Sequence, residues 1–147
     1  MGEPTERGRY PVPINDPAAD EFTLPFWDGA LQGTLMAARC DACGTMQLSR
    51  PPCCYACQGR AFTWTDLPGS GTIYSFTVVR HPLRPDLRDV VPYVSAIIEL
   101  DGTQGAGARI QANVIGCDPD SVRIGAAVKV EFERVSATLA APRFRLV

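Results

Sequence analysis

Two cysteine pairs of identical spacing, Cys40-Asp-Ala-Cys43 and Cys54-Tyr-Ala-Cys57, stand ten residues apart and give the pattern C-x2-C-x10-C-x2-C. Each C-x2-C turn aims two thiolates at one point, and two such turns on neighbouring hairpins complete a tetrahedron with metal–sulfur distances of about 2.3 Å. The segment around them, 34–67, is too short and too polar to own a conventional core, and pieces below ~40 residues usually need a metal or disulfides to hold together. Gly44, directly after the first pair, suits the tight turn of such a knuckle. Four thiolates can hold zinc or a single iron; zinc is the expected ion for a structural site, one per chain. With all four ligands supplied by protein, no coordination position is left open for catalysis. Cys53 could replace Cys54 as third ligand at x3 spacing, but the x2 repeat favours Cys54. Cys117 stands alone and reads as a small residue at a loop start.

The cysteines act as metal ligands only if they stay reduced. Residues 1–7 lack the apolar centre of a signal peptide, which points to a cytoplasmic protein in which disulfides are disfavoured. The longest run without a charge, 67–79, is broken by Pro68, Gly69 and Gly71 and falls short of the ~18 apolar residues of a membrane span. No membrane association is expected. Fourteen basic residues, of which Lys129 is the only lysine, face 16 acidic ones, for a net charge of −2. That balance offers little to a polyanion, so no nucleic-acid partner is expected.

The 147 residues amount to one ordinary domain plus a small appendage. Residues 1–16, rich in proline, glycine and charge, read as a flexible lead-in. A helical segment is expected over 17–33. Asp16-Pro17 and Thr23 with Pro25 are candidate starts, Phe26, Trp27, Ala30 and Leu31 share a face, and Gly33 is the stop. The ribbon, 34–67, carries short strand-like pieces at 35–39, 45–48 and 61–65. From 68 to 147 the pattern is plainly β, with strands expected at 72–80, 93–100, 109–115, 127–135 and 143–147. Val128, Val130 and Phe132 alternate with charged residues, and Tyr74, Phe76 and Val78 share one face. Five short strands in about 75 residues fit a small barrel of the OB kind, with a small sandwich as the alternative.

Other candidates for chemistry are few. His81 is the single histidine, so a multi-histidine metal site is excluded. The clusters around Gly69 and Gly102 lack the strand-before, helix-after setting and the lysine of a phosphate loop, and read as turns. The 81–92 connection, with Pro82, Pro85, Pro92, Arg84 and Arg88, is long for a compact domain, and such loops tend to be functional. No nucleophile has an evident base and orienting group, so no self-sufficient active site is expected.

In chain order, Pro25-Phe26-Trp27, Gly33-Thr34-Leu35, Arg39-Cys40-x2-Cys43-Gly44, Gly69-x-Gly71-Thr72-x-Tyr74, Pro92-Tyr93 and Arg123-Ile124-Gly125 resemble one family from about Phe22 onward. It is the zinc-ribbon plus OB-fold proteins, long filed as a domain of unknown function, that accompany thiolase-superfamily enzymes. The family usually reads Pro-Pro-Arg before the second cysteine pair, where this chain has Arg50-Pro51-Pro52-Cys53. The resemblance implies a mainly β fold: an N-terminal helix, a rubredoxin-like zinc ribbon and a C-terminal five-stranded OB-fold barrel. It further implies an accessory subunit in a hetero-oligomer with a thiolase-superfamily enzyme, in lipid or steroid metabolism. The three parts would frame a groove for an acyl-CoA substrate shared with that partner, for condensation, acyl transfer or retro-aldol cleavage. Phe26, Trp27, His81, Arg84 and Arg88 are then the candidate substrate or partner residues, the arginines suiting CoA phosphates. The competing class is a single-strand nucleic-acid module, in which Tyr74 and Phe76 could stack bases.

Overall fold

The structure, a computed structural model, describes residues 19–103 and 107–147. The expected lead-in at 1–16 and the start signal Asp16-Pro17 lie outside the described residues. A helix, α1, spans Leu24–Leu31 with Pro25 in its first turn, where the missing N–H was without an intrahelical partner anyway. Thr23 makes no side-chain cap to it. Asp20 instead organises the turn ahead of it: its Oδ1 accepts the N–H groups of Phe22 and Thr23 at 3.0 and 3.1 Å and its carbonyl the Leu24 N–H at 2.8 Å, while Thr23 Oγ1 accepts the Asp20 N–H at 3.2 Å. A carboxylate oxygen can take both N–H groups, and its charge suits the start of a helix. At the other end Gly33 takes φ +80°. Its N–H donates to Ala30 O at 3.1 Å and that of Thr34 to Gly29 O at 2.8 Å, the paired closure that a left-handed residue allows.

Three antiparallel strands follow, β1 (Leu35–Cys40), β2 (Met46–Gln47) and β3 (Phe62–Leu67), in the order β2-β1-β3. Ala37 and Ala38 of β1 are fully buried, and α1 packs across β1. Only Pro68 and Gly69 separate β3 from the next strand. That junction is pinned: Lys129 Nζ donates to Pro68 O and the Val130 N–H to Gly69 O, both at 2.7 Å.

Five strands, β4 (Ser70–Val79), β5 (Tyr93–Leu100), β6 (Arg109–Val114), β7 (Ala127–Arg134) and β8 (Ala140–Leu146), close a barrel in the order β4-β5-β6-β8-β7. Closure settles the choice between barrel and sandwich. The antiparallel seams β4–β5, β5–β6 and β7–β8 are long, whereas β6 and β8 meet in parallel through one rung, Val114 opposite Phe144. The barrel interior takes alternate residues: Val94, Ala96, Ile98 and Leu100 from β5, with Ile73, Val128 and Phe144. Burying each of the larger side chains contributes about 1.5–3 kcal/mol.

Two expectations need correction. Tyr74 does not share a face with Phe76 and Val78. The β4–β5 register slips between Ile73 and Ser75, so Tyr74 is the extra residue of a bulge and stands exposed, while Phe76 and Val78 pack against the core. The last strand starts at Ala140, three residues before the expected 143, and runs through Pro142. The proline is tolerated because of where its nitrogen points. Val135 N–H donates to Leu139 O, which sets the alternation along this hairpin; Pro142, opposite Phe132, then turns its nitrogen away from β7.

Candidate metal centre and groove

The two knuckles repeat one backbone design. Cys40 N–H donates to Thr45 O at 2.9 Å and Gly44 N–H to Cys40 O at 2.8 Å; Cys54 N–H donates to Gly59 O at 2.7 Å and Gln58 N–H to Cys54 O at 2.9 Å. Each knuckle turns through a left-handed residue just after its second cysteine, Gly44 at φ +77° and Gln58 at φ +64°. The glycine was legible in advance, the glutamine was not. Gly59 N–H also donates to Cys57 Sγ at 3.4 Å, and Thr63 Oγ1 to Asp41 Oδ1 at 2.7 Å ties the first knuckle to β3.

This frame gathers the sulfurs of Cys40, Cys43, Cys54 and Cys57 within 4.8 Å of one another. Cys40–Cys57 and Cys43–Cys54 are each 3.6 Å apart. A tetrahedron with ~2.3 Å metal–sulfur bonds has edges of about 3.8 Å, so the four thiols fit one metal ion, and they are far from the ~2.05 Å of a disulfide. Cys40 and Cys54 are buried, Cys43 and Cys57 exposed. The Thr45 hydroxyl and then its N–H hold the Cys43 thiol down at about 6. At Cys57 the Gly59 N–H acts in the same direction, but the neighbouring thiols of Cys43 and Cys40 outweigh it and push that thiol up to about 12. Four sulfurs this close ionise together only around a cation. Cys53 is not one of the four, its Sγ lying 3.6 Å from Gln58 Oε1, and Cys117, which follows β6 in the chain, is outside the cluster as well.

Between α1, the ribbon and the outer face of the barrel runs a groove of about 880 Å³. Phe26 and Trp27 form its helical wall, their rings 5.0 Å apart and edge to face. Gln47, Leu48 and Tyr55 come from the ribbon, and β4, β5 and β6 supply the floor through Thr77, Ser95, Gln111 and Asn113. Pro142 and Arg143 of β8 close the side. Arg143 is almost fully buried, donates from Nε to Glu133 Oε2 at 3.0 Å and from Nη1 to Asn113 Oδ1, and so bridges from β8 to β6; Asn113 Nδ2 in turn donates to Val94 O at 3.0 Å. Gln47 Nε2 is buried without a hydrogen-bond partner among the described residues. An apolar groove with a few inward polar groups is the usual form of a small-molecule site.

Of the candidate substrate or partner residues, Phe26 and Trp27 reach the groove. His81, Arg84 and Arg88 do not line it; they are exposed on the connection between β4 and β5. There Arg84 grips Asp86 with two bonds, at 3.1 and 2.6 Å, which holds the Asp86 carboxyl below its ordinary range and raises Arg84. Tyr74 is covered on one face by the Arg109 guanidinium, 3.7 Å from its ring centre, and Arg109 also pairs with Glu99 at 2.9 Å. Sequence reasoning missed Gln47, Tyr55, Gln111, Asn113 and Arg143; the strand alternation of β6 alone could have marked Gln111 and Asn113 as outward. No helix among the described residues is long and apolar enough to cross a membrane.

Comparison with known proteins places this geometry. Residues 27–63 match the family model "ChsH2, rubredoxin-like zinc ribbon domain" and residues 64–133 the model "ChsH2, C-terminal OB-fold domain". A solved structure described as "Ltp2-ChsH2(DUF35) aldolase" superposes with a TM-score of 0.76 at 31% identity, over 89% of this chain and 98% of that one. A "DUF35 domain-containing scaffold protein" of Methanocaldococcus jannaschii is 36% identical over 102 residues, 69% of each chain. A "Probable enoyl-CoA hydratase alpha subunit" of Thermomonospora curvata is 34% identical over 129 residues, 88% of this chain but 39% of that protein. The chain thus spans well under half of that relative's length. With its four-cysteine ribbon and closed five-stranded barrel, the chain belongs to the DUF35 family of zinc-ribbon and OB-fold proteins.

Proposed function

We propose that this chain is a non-catalytic accessory subunit that docks on a thiolase-superfamily enzyme and helps hold its acyl-CoA substrate for condensation, acyl transfer or retro-aldol cleavage. The observation that carries the reading is the match over 98% of a chain in an aldolase assembly, at 31% identity. The groove supports it, because a mainly apolar trough walled by Phe26 and Trp27 suits an acyl or pantetheine arm. The ion in the ribbon is zinc, held by Cys40, Cys43, Cys54 and Cys57 as a structural fastener. Arg84 and Arg88, on the exposed connection outside the groove, suit CoA phosphates or the partner's surface. Nucleic-acid binding is disfavoured: the Tyr74 ring is already covered by Arg109 and Phe76 packs against the core, so neither candidate stacking platform is open on both sides.

Co-expression with a thiolase-like partner tests the reading. The complex is expected to co-elute and to turn over acyl-CoA faster than either component, and Arg84→Ala or Arg88→Ala to lower turnover roughly ten- to a hundredfold if the guanidinium meets a phosphate. A partner that is equally stable and active alone, or sub-micromolar binding of this chain to single-stranded nucleic acid at physiological salt, would sink it.

A further inference from the structure

We propose that an extended segment of the partner enzyme docks in the groove as an added strand against β6. The inference rests on the docking half of the reading above and not on its acyl-CoA half. β6 is laddered to β5 along its length, but its other side meets β8 through the single rung Val114 opposite Phe144. Upstream of that rung every residue from 107 to 113 lines the groove. A strand met by its face contributes every second residue, whereas a consecutive run is a strand met along its edge.

Backbone bonds show which groups look into the groove. Leu100 N–H donates to Ala108 O at 3.0 Å, so the even-numbered residues of β6 face β5; Ile115 N–H donates to Phe144 O at 2.8 Å, so the odd-numbered ones face the other way. The N–H and C=O groups of Arg109 and Gln111 therefore reach the groove without a ladder partner among the described residues. β8 offers their carbonyls no donor, since the nitrogen it turns to that side is that of Pro142. The ribbon presents a second edge. Cys40 N–H donates to Thr45 O, which aims the odd-numbered Gln47 at β1 and turns Met46 and, just beyond the strand, Leu48 away from it; residues 46–49 again line the groove consecutively. On that bank Gln47 Nε2 is a further donor with no partner among the described residues.

The two edges select their occupant. A helix spends its own N–H and C=O groups internally and has none to give along its length. The edge of a folded sheet brings its neighbouring strands with it, and a groove of about 880 Å³ walled by helix and ribbon has room for one chain only. A lone extended chain offers donors and acceptors on both sides at strand spacing, so it can pair with β6 while its other side meets the ribbon. Its composition follows from the walls. Phe26, Trp27 and Tyr55 are apolar, and the arginines on the groove are already matched, Arg109 with Glu99 and Arg143 with Glu133. Uncharged, apolar side chains at alternate positions suit such a lining. This is β-augmentation, in which main-chain bonds supply affinity and the flanking surface chooses the sequence.

Residue-resolved amide exchange, read by mass spectrometry with electron-transfer fragmentation, compares the free chain with its complex with the co-expressed thiolase-superfamily partner. Gln111→Pro and Gln111→Ala chains are measured for partner binding beside the parent. The proline deletes a donor that faces the groove and leaves the even-numbered ladder to β5 in place, whereas the alanine keeps the donor and removes only the side chain. Expected are at least tenfold slower exchange at Arg109 and Gln111 in the complex, at least tenfold weaker partner binding by Gln111→Pro, and parental binding by Gln111→Ala. Amides of β5 report folding, and the parent's own two amides decide the matter even where the proline disturbs them. Equal exchange at Arg109 and Gln111 with and without the partner, or equal binding by the proline and alanine variants, overturns the strand and leaves docking itself standing; failure of any complex to form overturns both. Slow exchange at the two amides in the dilute free chain would mean an edge already paired, protection that grows with concentration a second copy, and protection by pantetheine alone a ligand's amides. Each of these overturns the proposal.

Discussion

Replacing Cys54 by serine isolates the worth of one sulfur in the ribbon. The residue is fully buried, and its N–H and C=O hold the second knuckle through Gly59 and Gln58, bonds that serine keeps. What is lost is one of four ligands in a cluster whose paired sulfurs stand 3.6 Å apart. Structural zinc in small ribbons binds with an apparent ~10–16 kcal/mol near neutral pH. An even share per thiolate is roughly 2.5–4 kcal/mol, which weakens metal binding by about sixty- to several-hundredfold. Cys53→Ser, beside it in sequence, removes a sulfur directed at the Gln58 side chain and is expected to leave metal affinity unchanged. The assay is competition against a chromophoric chelator, with metal content of each purified protein measured in parallel. A Cys54→Ser protein that holds one metal with parental affinity, or a Cys53→Ser protein that loses it, would refute the assignment of the ligand set.

Glu133→Leu removes the carboxylate that pairs with the buried Arg143 guanidinium at 2.9 Å and is expected to cost about 3 kcal/mol, a fall in Tm of roughly 6–12 °C for a chain of this size, while the double variant with Arg143→Met recovers most of it. A thermal melt in which the single and double variants fall equally would contradict this. Gly33→Ala is expected to cost about 1–2 kcal/mol in denaturant unfolding purely through its left-handed backbone, since a Cβ there meets nothing within 4 Å. Burial raises the Cys117 thiol, so less of it is thiolate at pH 8 than for an ordinary cysteine; alkylation there is expected to be several-fold slower than for a short cysteine peptide and to go on rising above pH 9. A rate equal to the peptide's at pH 8 would count against that burial.

The parts of the molecule legible in advance are those where one local rule decides. The C-x2-C spacing forces two sulfurs to one point, Gly33 after an apolar helical face ends a helix, and the alternation in β7 marks a strand. The rest depended on partners distant in sequence. Asp20 closes the turn ahead of α1 through its carboxylate and its carbonyl while Thr23 gives the helix no side-chain cap, a division invisible to a rule that only asks for a capping residue beside a proline. The last strand was expected only from 143, because whether a strand can run through Pro142 depends on which side its nitrogen faces, and here it faces away from β7. Tyr74 was placed on one face with Phe76 and Val78 by a periodicity that a single inserted residue overturned. The groove was expected only through the family resemblance, and beyond Phe26 and Trp27 its lining was not legible: Tyr55, Gln111 and Arg143 come from the ribbon and two barrel strands, and none carries a local signal of a shared cavity. The proline and arginine content of 81–92 drew attention to a connection that lies outside it.

The Pro68–Gly69 junction gives the ribbon a mechanical role that its size would not suggest. Two residues, one a ring and the other bonded to Val130, with Lys129 clamped on the carbonyl between them, make a weld rather than a swivel. A weld passes torque. Any enzyme that gripped the barrel would thereby aim the knuckles as well, and anything that twisted the knuckles would tilt the ribbon wall formed by Leu48 and Tyr55 against the strands beneath. The width of the trough is then set at a distance by four sulfurs, and stripping their ion should slacken the trough's aperture before it disturbs the barrel's interior.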